Sequence, residues 1–177
     1  MGTNTEYLIP FKGLENGVHK YRFQVSTEFF LNFENSRIKK GNYIVDLIFD
    51  KRDLMMILDF SFHGDYQGSC DRCLTIIDIP NEGNDQIIVK FQNDVTLDSS
   101  QEVVIIEDDA HEIDVSSFIN NMIHLHLPLV NKRNCEEEEY KFCDHSLLDK
   151  LERTQEDGDE GREPGTNWDA LKDLNLD

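Results

Sequence analysis

Short apolar runs broken by Gly, Pro and Asn dominate the first hundred positions, and the clearest helical spacing comes only after position 113. Residues 6–12 (EYLIPFK) and 18–25 (VHKYRFQV) alternate in part and are separated by Gly13 and Gly17, which predicts two strands about a turn. Ser26 then precedes TEFFLNFE. A hydroxyl there can cap a short helix whose Phe29, Phe30 and Phe33 lie on or near one face, as core aromatics. Residues 43–49 and 54–62 predict long antiparallel strands joined by the charged hairpin Asp50, Lys51, Arg52 and Asp53. Residues 74–79 and 87–91 repeat the pattern across Pro80, Asn81, Gly83 and Asn84, predicting two more strands, and residues 103–106 predict a further one. With no long helices between strands, the expected class is α+β: an antiparallel β-sheet or partly closed barrel with two to three helices.

Asp114 opens the clearest helix, because its carboxylate can accept first-turn amides while Val115, Phe118, Ile119, Met122 and Ile123 recur at helical spacing up to Pro128. A further short helix is expected around residues 146–153. Residues 152–166 (ERTQEDGDEGREPGT) contain no apolar side chain and read as a disordered linker, since nothing there offsets the ordering entropy. Trp168, Leu171 and Leu174 return beyond it as an apolar hook. The expected organisation is therefore a β-rich core over 1–134 with its helix near 114–126, a cysteine-containing extension over 135–151, and an acidic linker with hook over 152–177.

Charge narrows the function. The 177 residues hold 17 Lys and Arg against 36 Asp and Glu, a formal net charge of -19, which excludes a simple basic nucleic-acid binder. Residues 135–177 carry 15 acids and 5 Lys or Arg. No run approaches the roughly 18 apolar residues of a membrane span, and MGTNTEYLIP lacks a basic segment followed by an apolar one. A soluble, cytoplasmic chain with no membrane partner is the expectation, and its four cysteines would stay reduced.

Cys70-Asp71-Arg72-Cys73 has the spacing with which two thiolates grip one tetrahedral zinc from a tight turn. Cys135 and Cys143 would complete the site, with His145 as substitute ligand, so zinc is the one cofactor this pattern suggests; four reduced thiols is the alternative. Thiol–disulfide exchange fits poorly, because LTIIDIP after Cys73 reads as a strand rather than the helix whose dipole would activate the first thiol. None of the six histidines sits in a metalloprotease spacing, and His124 and His126 read as capping or surface residues at a helix C-terminus. No nucleophile elbow, phosphate loop or dinucleotide fingerprint occurs, so no catalytic residue is expected and the chain reads as a non-enzyme. Local basic patches, at Arg37, Lys39 and Lys40, at Lys51 and Arg52, at Arg72, and at Lys132 with Arg133, allow local RNA contact. The acidic field as a whole favours a basic protein instead.

The order GSCDRCL, then strands, then EIDVSSFINNMIHLHLPL, then NWDALKDL resembles the bacterial YceD family of large ribosomal RNA subunit accumulation proteins over roughly residues 40–177. The resemblance rests on Cys70, Arg72, Cys73 and Leu74, on Ile113-Asp114 with Leu127-Pro128, and on Trp168, Leu171 and Leu174. It implies a part in synthesis, processing or stability of 23S ribosomal RNA and no catalytic residue. The expected partner is a large-subunit ribosomal protein or precursor particle, with ribosomal RNA contacted directly or indirectly. Arg72, Lys132, Arg133, Trp168, Leu171 and Leu174 are the candidate RNA or partner contacts, and a zinc-stabilised RNA-binding module is the alternative reading.

Overall fold

The computed structural model describes residues 5–91, 103–132 and 143–150. The chain divides into two compact units, one of Met1–Gly68 with Ile76–Asn131 and one of Ser69–Thr75 with Lys132–Asp177.

The first unit is built on an open five-stranded sheet in which β2 (Gly17–Val25), β3 (Gly41–Lys51), β4 (Met55–Ser69), β5 (Ile76–Phe91) and β6 (Val103–Ile106) lie side by side in chain order. The two outer strands do not pair, so the barrel alternative gives way to an open sheet. β2 to β4 pair antiparallel, with Phe23 opposite Val45 and Val45 opposite Phe62. The six-residue connection from β4 to β5 is too short for a parallel crossover and makes that pair antiparallel as well. β6 departs from expectation by running parallel to β5, with Ile88 opposite Val103.

Period-two alternation decides the faces. Tyr43, Val45, Leu47 and Phe49 on β3 are buried with Met56, Leu58, Phe60 and Phe62 on β4, while Asp46, Asp59, Ser61 and His63 point to the opposite side. The buried face is closed by α1 (Thr27–Leu31), α2 (Ser116–Leu125) and the two-residue pair of β1 (Leu8–Ile9) with β7 (Ile113–Asp114). Phe29 and Phe30 are buried, and their rings reach Tyr7 at 4.9 Å and Tyr43 at 5.7 Å; Phe33 is half-buried. Ser26 stands at the N-cap of α1, yet its hydroxyl makes no capping bond; its carbonyl accepts the Phe29 amide instead.

Two local expectations need correction. Residues 6–12 do not pair with 18–25: only Leu8–Ile9 is strand, flanked by 3-10 turns, and it lies against Ile113–Asp114 because Tyr7, Ile9 and Phe11 are all buried. Residues 74–79 and 87–91 are not two strands: 76–79 and 87–91 are the ends of one, since β5 runs unbroken through Pro80, Asn81, Gly83 and Asn84, and 74–75 lie in the turn before it. Those residues serve packing instead of turning. Pro80 is exposed where β6, which pairs only with Ile88–Phe91, leaves that edge open, so its missing N–H costs the ladder nothing. Asn81 is buried and donates to the Ile123 carbonyl (3.1 Å) and the Tyr43 hydroxyl (3.4 Å), tying β5 to the end of α2. A Cβ on Gly83 would run into the His126 ring, so the missing side chain at Gly83 leaves room for that ring.

The α2 expectation holds. Asp114 Oδ1 accepts the Ser116 amide at 2.8 Å, Val115, Ile119, Met122 and Ile123 are buried, and the helix ends at Leu125, three residues before Pro128. His124 Nδ1 bonds the Asn120 carbonyl (2.7 Å) while Nε2 accepts the Arg37 amide (3.1 Å); His126 bonds the Met122 carbonyl (3.0 Å) and stacks edge-on to Phe62 at 5.4 Å. These two histidines end the helix and dock it. None of the described helices is long and apolar enough to cross a membrane. The predicted linker and hook, with all but the 146–150 part of the last predicted helix, lie outside the described residues.

Candidate functional site

The turn between β4 and β5 carries Cys70 and Cys73, and it belongs to the second unit with Lys132–Asp177. Its backbone is closed locally: the Cys70 amide donates to the Thr75 carbonyl (2.8 Å) and the Leu74 amide to the Cys70 carbonyl (2.9 Å). The Ser69 hydroxyl adds a bond to the Leu74 carbonyl at 3.2 Å. Closing so tight a loop drives Leu74 to φ 59°, a left-handed conformation that costs a non-glycine residue about 1–2 kcal/mol. Leu74 gains no burial in return, being 64% exposed.

That loop buries both thiols and aims hydrogen-bond donors at one of them. Cys70 and Cys73 are 1% and 2% exposed. Thr75 Oγ1 lies 3.5 Å from Cys73 Sγ; its hydroxyl first, then the Thr75 and Asp144 backbone groups and the Cys70 thiol, hydrogen-bond the sulfur and pull the Cys73 thiol down to about 6 against the opposing effect of burial. The two sulfurs are neighbours that share a hydrogen bond, and Cys73 is the one its surroundings favour as a thiolate. Cys143 and Asp144 belong to the same unit, and Asp144 also caps a helical segment over residues 145–150, its Oδ1 accepting the Leu147 amide at 3.2 Å and its carbonyl the Leu148 amide at 3.1 Å.

The sequence-predicted residues therefore divide into three sets. Cys70 and Cys73 are brought together; Cys143 is half-buried next to the Asp144 group that reaches Cys73; His145 is exposed at the start of the helical segment. No group of three or more His, Cys, Asp or Glu close enough to hold a metal occurs among the described residues. Cys135, Arg133, Trp168, Leu171 and Leu174 lie outside those residues, whereas Arg72 and Lys132 are described, Arg72 exposed and Lys132 exposed as well. Sequence reading missed Thr75 and Asp144. A hydroxyl two residues after the second cysteine was the available signal for Thr75, whereas nothing local announces an amide about seventy positions away.

Searches of curated proteins and of solved structures return no match to the chain. A family model described as large ribosomal RNA subunit accumulation protein YceD matches residues 58–175, a stretch that spans the cysteine turn, β5, β6 and α2. That stretch is about two thirds of the 177 residues, and the chain belongs to the YceD family.

Proposed function

We propose that the chain is a non-enzymatic, cytoplasmic factor in large ribosomal subunit biogenesis that supports 23S ribosomal RNA by binding a basic ribosomal protein or a precursor particle. The observation that carries this reading is where the charge lies. Within the family-matched residues 58–175 there are 28 Asp and Glu against 9 Lys and Arg, a net -19, while the rest of the chain balances at 8 of each. The family's part of the molecule thus holds the whole acidic excess, and such a field speeds association with cationic partners and fades with salt. Glutamates at 136–139 and the acids of 156–163 supply the attraction, and Trp168, Leu171 and Leu174 an apolar anchor. Deleting residues 152–177 is expected to lower capture of large-subunit ribosomal proteins and the level of 23S ribosomal RNA. Unchanged capture and RNA levels would remove the tail from the account.

A second reading, a zinc-stabilised RNA-binding module, draws support from one observation, the shared hydrogen bond of Cys70 with an ionised Cys73 beside Asp144. In it Cys70, Cys73, Cys135 and Cys143 (or His145) hold zinc, which would lock the turn to the chain after α2, and Arg72, Lys132 and Arg133 contact phosphates. It requires one zinc per chain in purified protein and a mobility shift of ribosomal RNA fragments; protein without zinc that shifts nothing removes it.

A further inference from the structure

The first unit contains a cleft that the protein-partner reading does not use. It measures about 250 Å³ and is lined by Lys12, Lys51 and Arg52 together with Phe91, Asn16 and Asp53. These residues come from a 3-10 turn, the β3–β4 hairpin and the end of β5, so no local motif announces them. Three cations converge at one concavity in a chain whose net charge is strongly negative.

The cations have donors left over. Lys51 Nζ donates to the Leu14 carbonyl (2.6 Å) and Arg52 donates from Nε and Nη2 to Asp50 (2.9 and 2.7 Å), while Lys12 Nζ lies 3.4 Å from His111 Nε2. An ammonium has three donors and a guanidinium five, so each holds its side chain in place with part of its set. Of the two carboxylates that line the cleft, Asp53 is engaged by Asn16 Nδ2 at 2.5 Å, and Asp108 has an interaction of its own. Half-buried Phe91 adds an aromatic wall, backed by Phe11 at 6.0 Å. Electrostatics permits an anion here, because residues 1–57 hold 8 Lys and Arg against 7 acids and exposed charges beyond about 8 Å are screened at physiological salt.

We propose that this cleft binds a single-stranded RNA segment, with a backbone phosphate on Lys12, Lys51 and Arg52 and an adjacent base against Phe91. Phosphates on point charges with a base on a ring is how proteins hold single strands without reading sequence. The proposal goes beyond protein capture and is independent of the cysteine turn.

The test is fluorescence anisotropy of the full chain with a labelled single-stranded RNA of about 12 nucleotides, at about 50 and 200 mM salt. The K12E/R52E variant is expected to lose at least about tenfold in affinity at the lower salt and to flatten the log–log salt slope by about 0.7, the share of the one phosphate no longer neutralised. K20E, which reverses an exposed cation outside the cleft, should stay within about twofold of the parent, and circular dichroism should show all variants folded. K12Q/R52Q, which removes charge without adding repulsion, must also weaken binding. A parent chain that binds no RNA, a K12Q/R52Q variant that binds like the parent, or an equal loss in K20E overturns the proposal. Adenosine monophosphate that displaces the RNA at matched nucleotide concentration would assign the cleft to a free nucleotide and overturn the strand. Ribosomal-protein capture by K12Q/R52Q should be unchanged, which separates failure here from failure of the protein-binding reading.

Discussion

Cys73 and Leu74 share one turn and make opposite contributions to its energy. Donors from Thr75, Asp144 and Cys70 hold the Cys73 thiol at about 6 instead of the ordinary 9.0. The folded state therefore binds fewer protons than the unfolded one between these values: the contribution to stability is complete above about pH 9 and is lost as pH falls through about 6. Ultraviolet titration of the parent chain against Cys73→Ser should show one thiolate appearing with a midpoint near 6; a midpoint near 9 would mean that the donors do not act on the sulfur. Leu74 sits in a left-handed conformation with its side chain exposed, so Leu74→Gly should raise stability by about 0.5–1 kcal/mol in thermal or urea melts. A destabilised L74G variant would show that the exposed leucine is held by its neighbours.

At the scale of elements, the sequence is most legible where a single period dominates. β3, β4 and α2 follow directly from alternation and from helical spacing after Asp114, because one face of each is buried in the same core. β5 escapes that reading because Pro80, Asn81, Gly83 and Asn84 have the composition of a turn, whereas tertiary packing against α2 decides their use. Asn81 looks like punctuation in one dimension and is a buried tie in three. Asn81→Ala should cost about 1–3 kcal/mol, since the Ile123 carbonyl is left without its side-chain donor, and a chemical-denaturation midpoint measures it. A midpoint equal to the parent's would mean that α2 is seated by apolar packing alone. Gly64 is a stricter case. A Cβ there would stand 2.2 Å from the Asn42 carbonyl oxygen, so Gly64→Ala must push β3 and β4 apart and destabilise the sheet.

Across the whole molecule, the acidic excess and the cleft cations are separated along the chain. The acidic excess lies in the family-matched residues, and the cleft cations lie before them. Half of the candidate cysteine site is legible from the C-x-x-C spacing alone; the donors that ionise Cys73 come from a hydroxyl and from a segment distant in sequence, which no local pattern encodes. Salt separates the two surfaces at this scale. Capture of a ribosomal protein by the acidic region should weaken between about 50 and 200 mM salt even in K12Q/R52Q, whereas RNA binding should be weak in that variant at both.

Native affinity capture of the full chain, with and without RNase, tests the central claim most directly. Copurified large-subunit ribosomal proteins that remain after RNase are the result that the proposed direct protein binding predicts. Loss of every ribosomal protein on RNase treatment would contradict the account and place RNA between the chain and the particle.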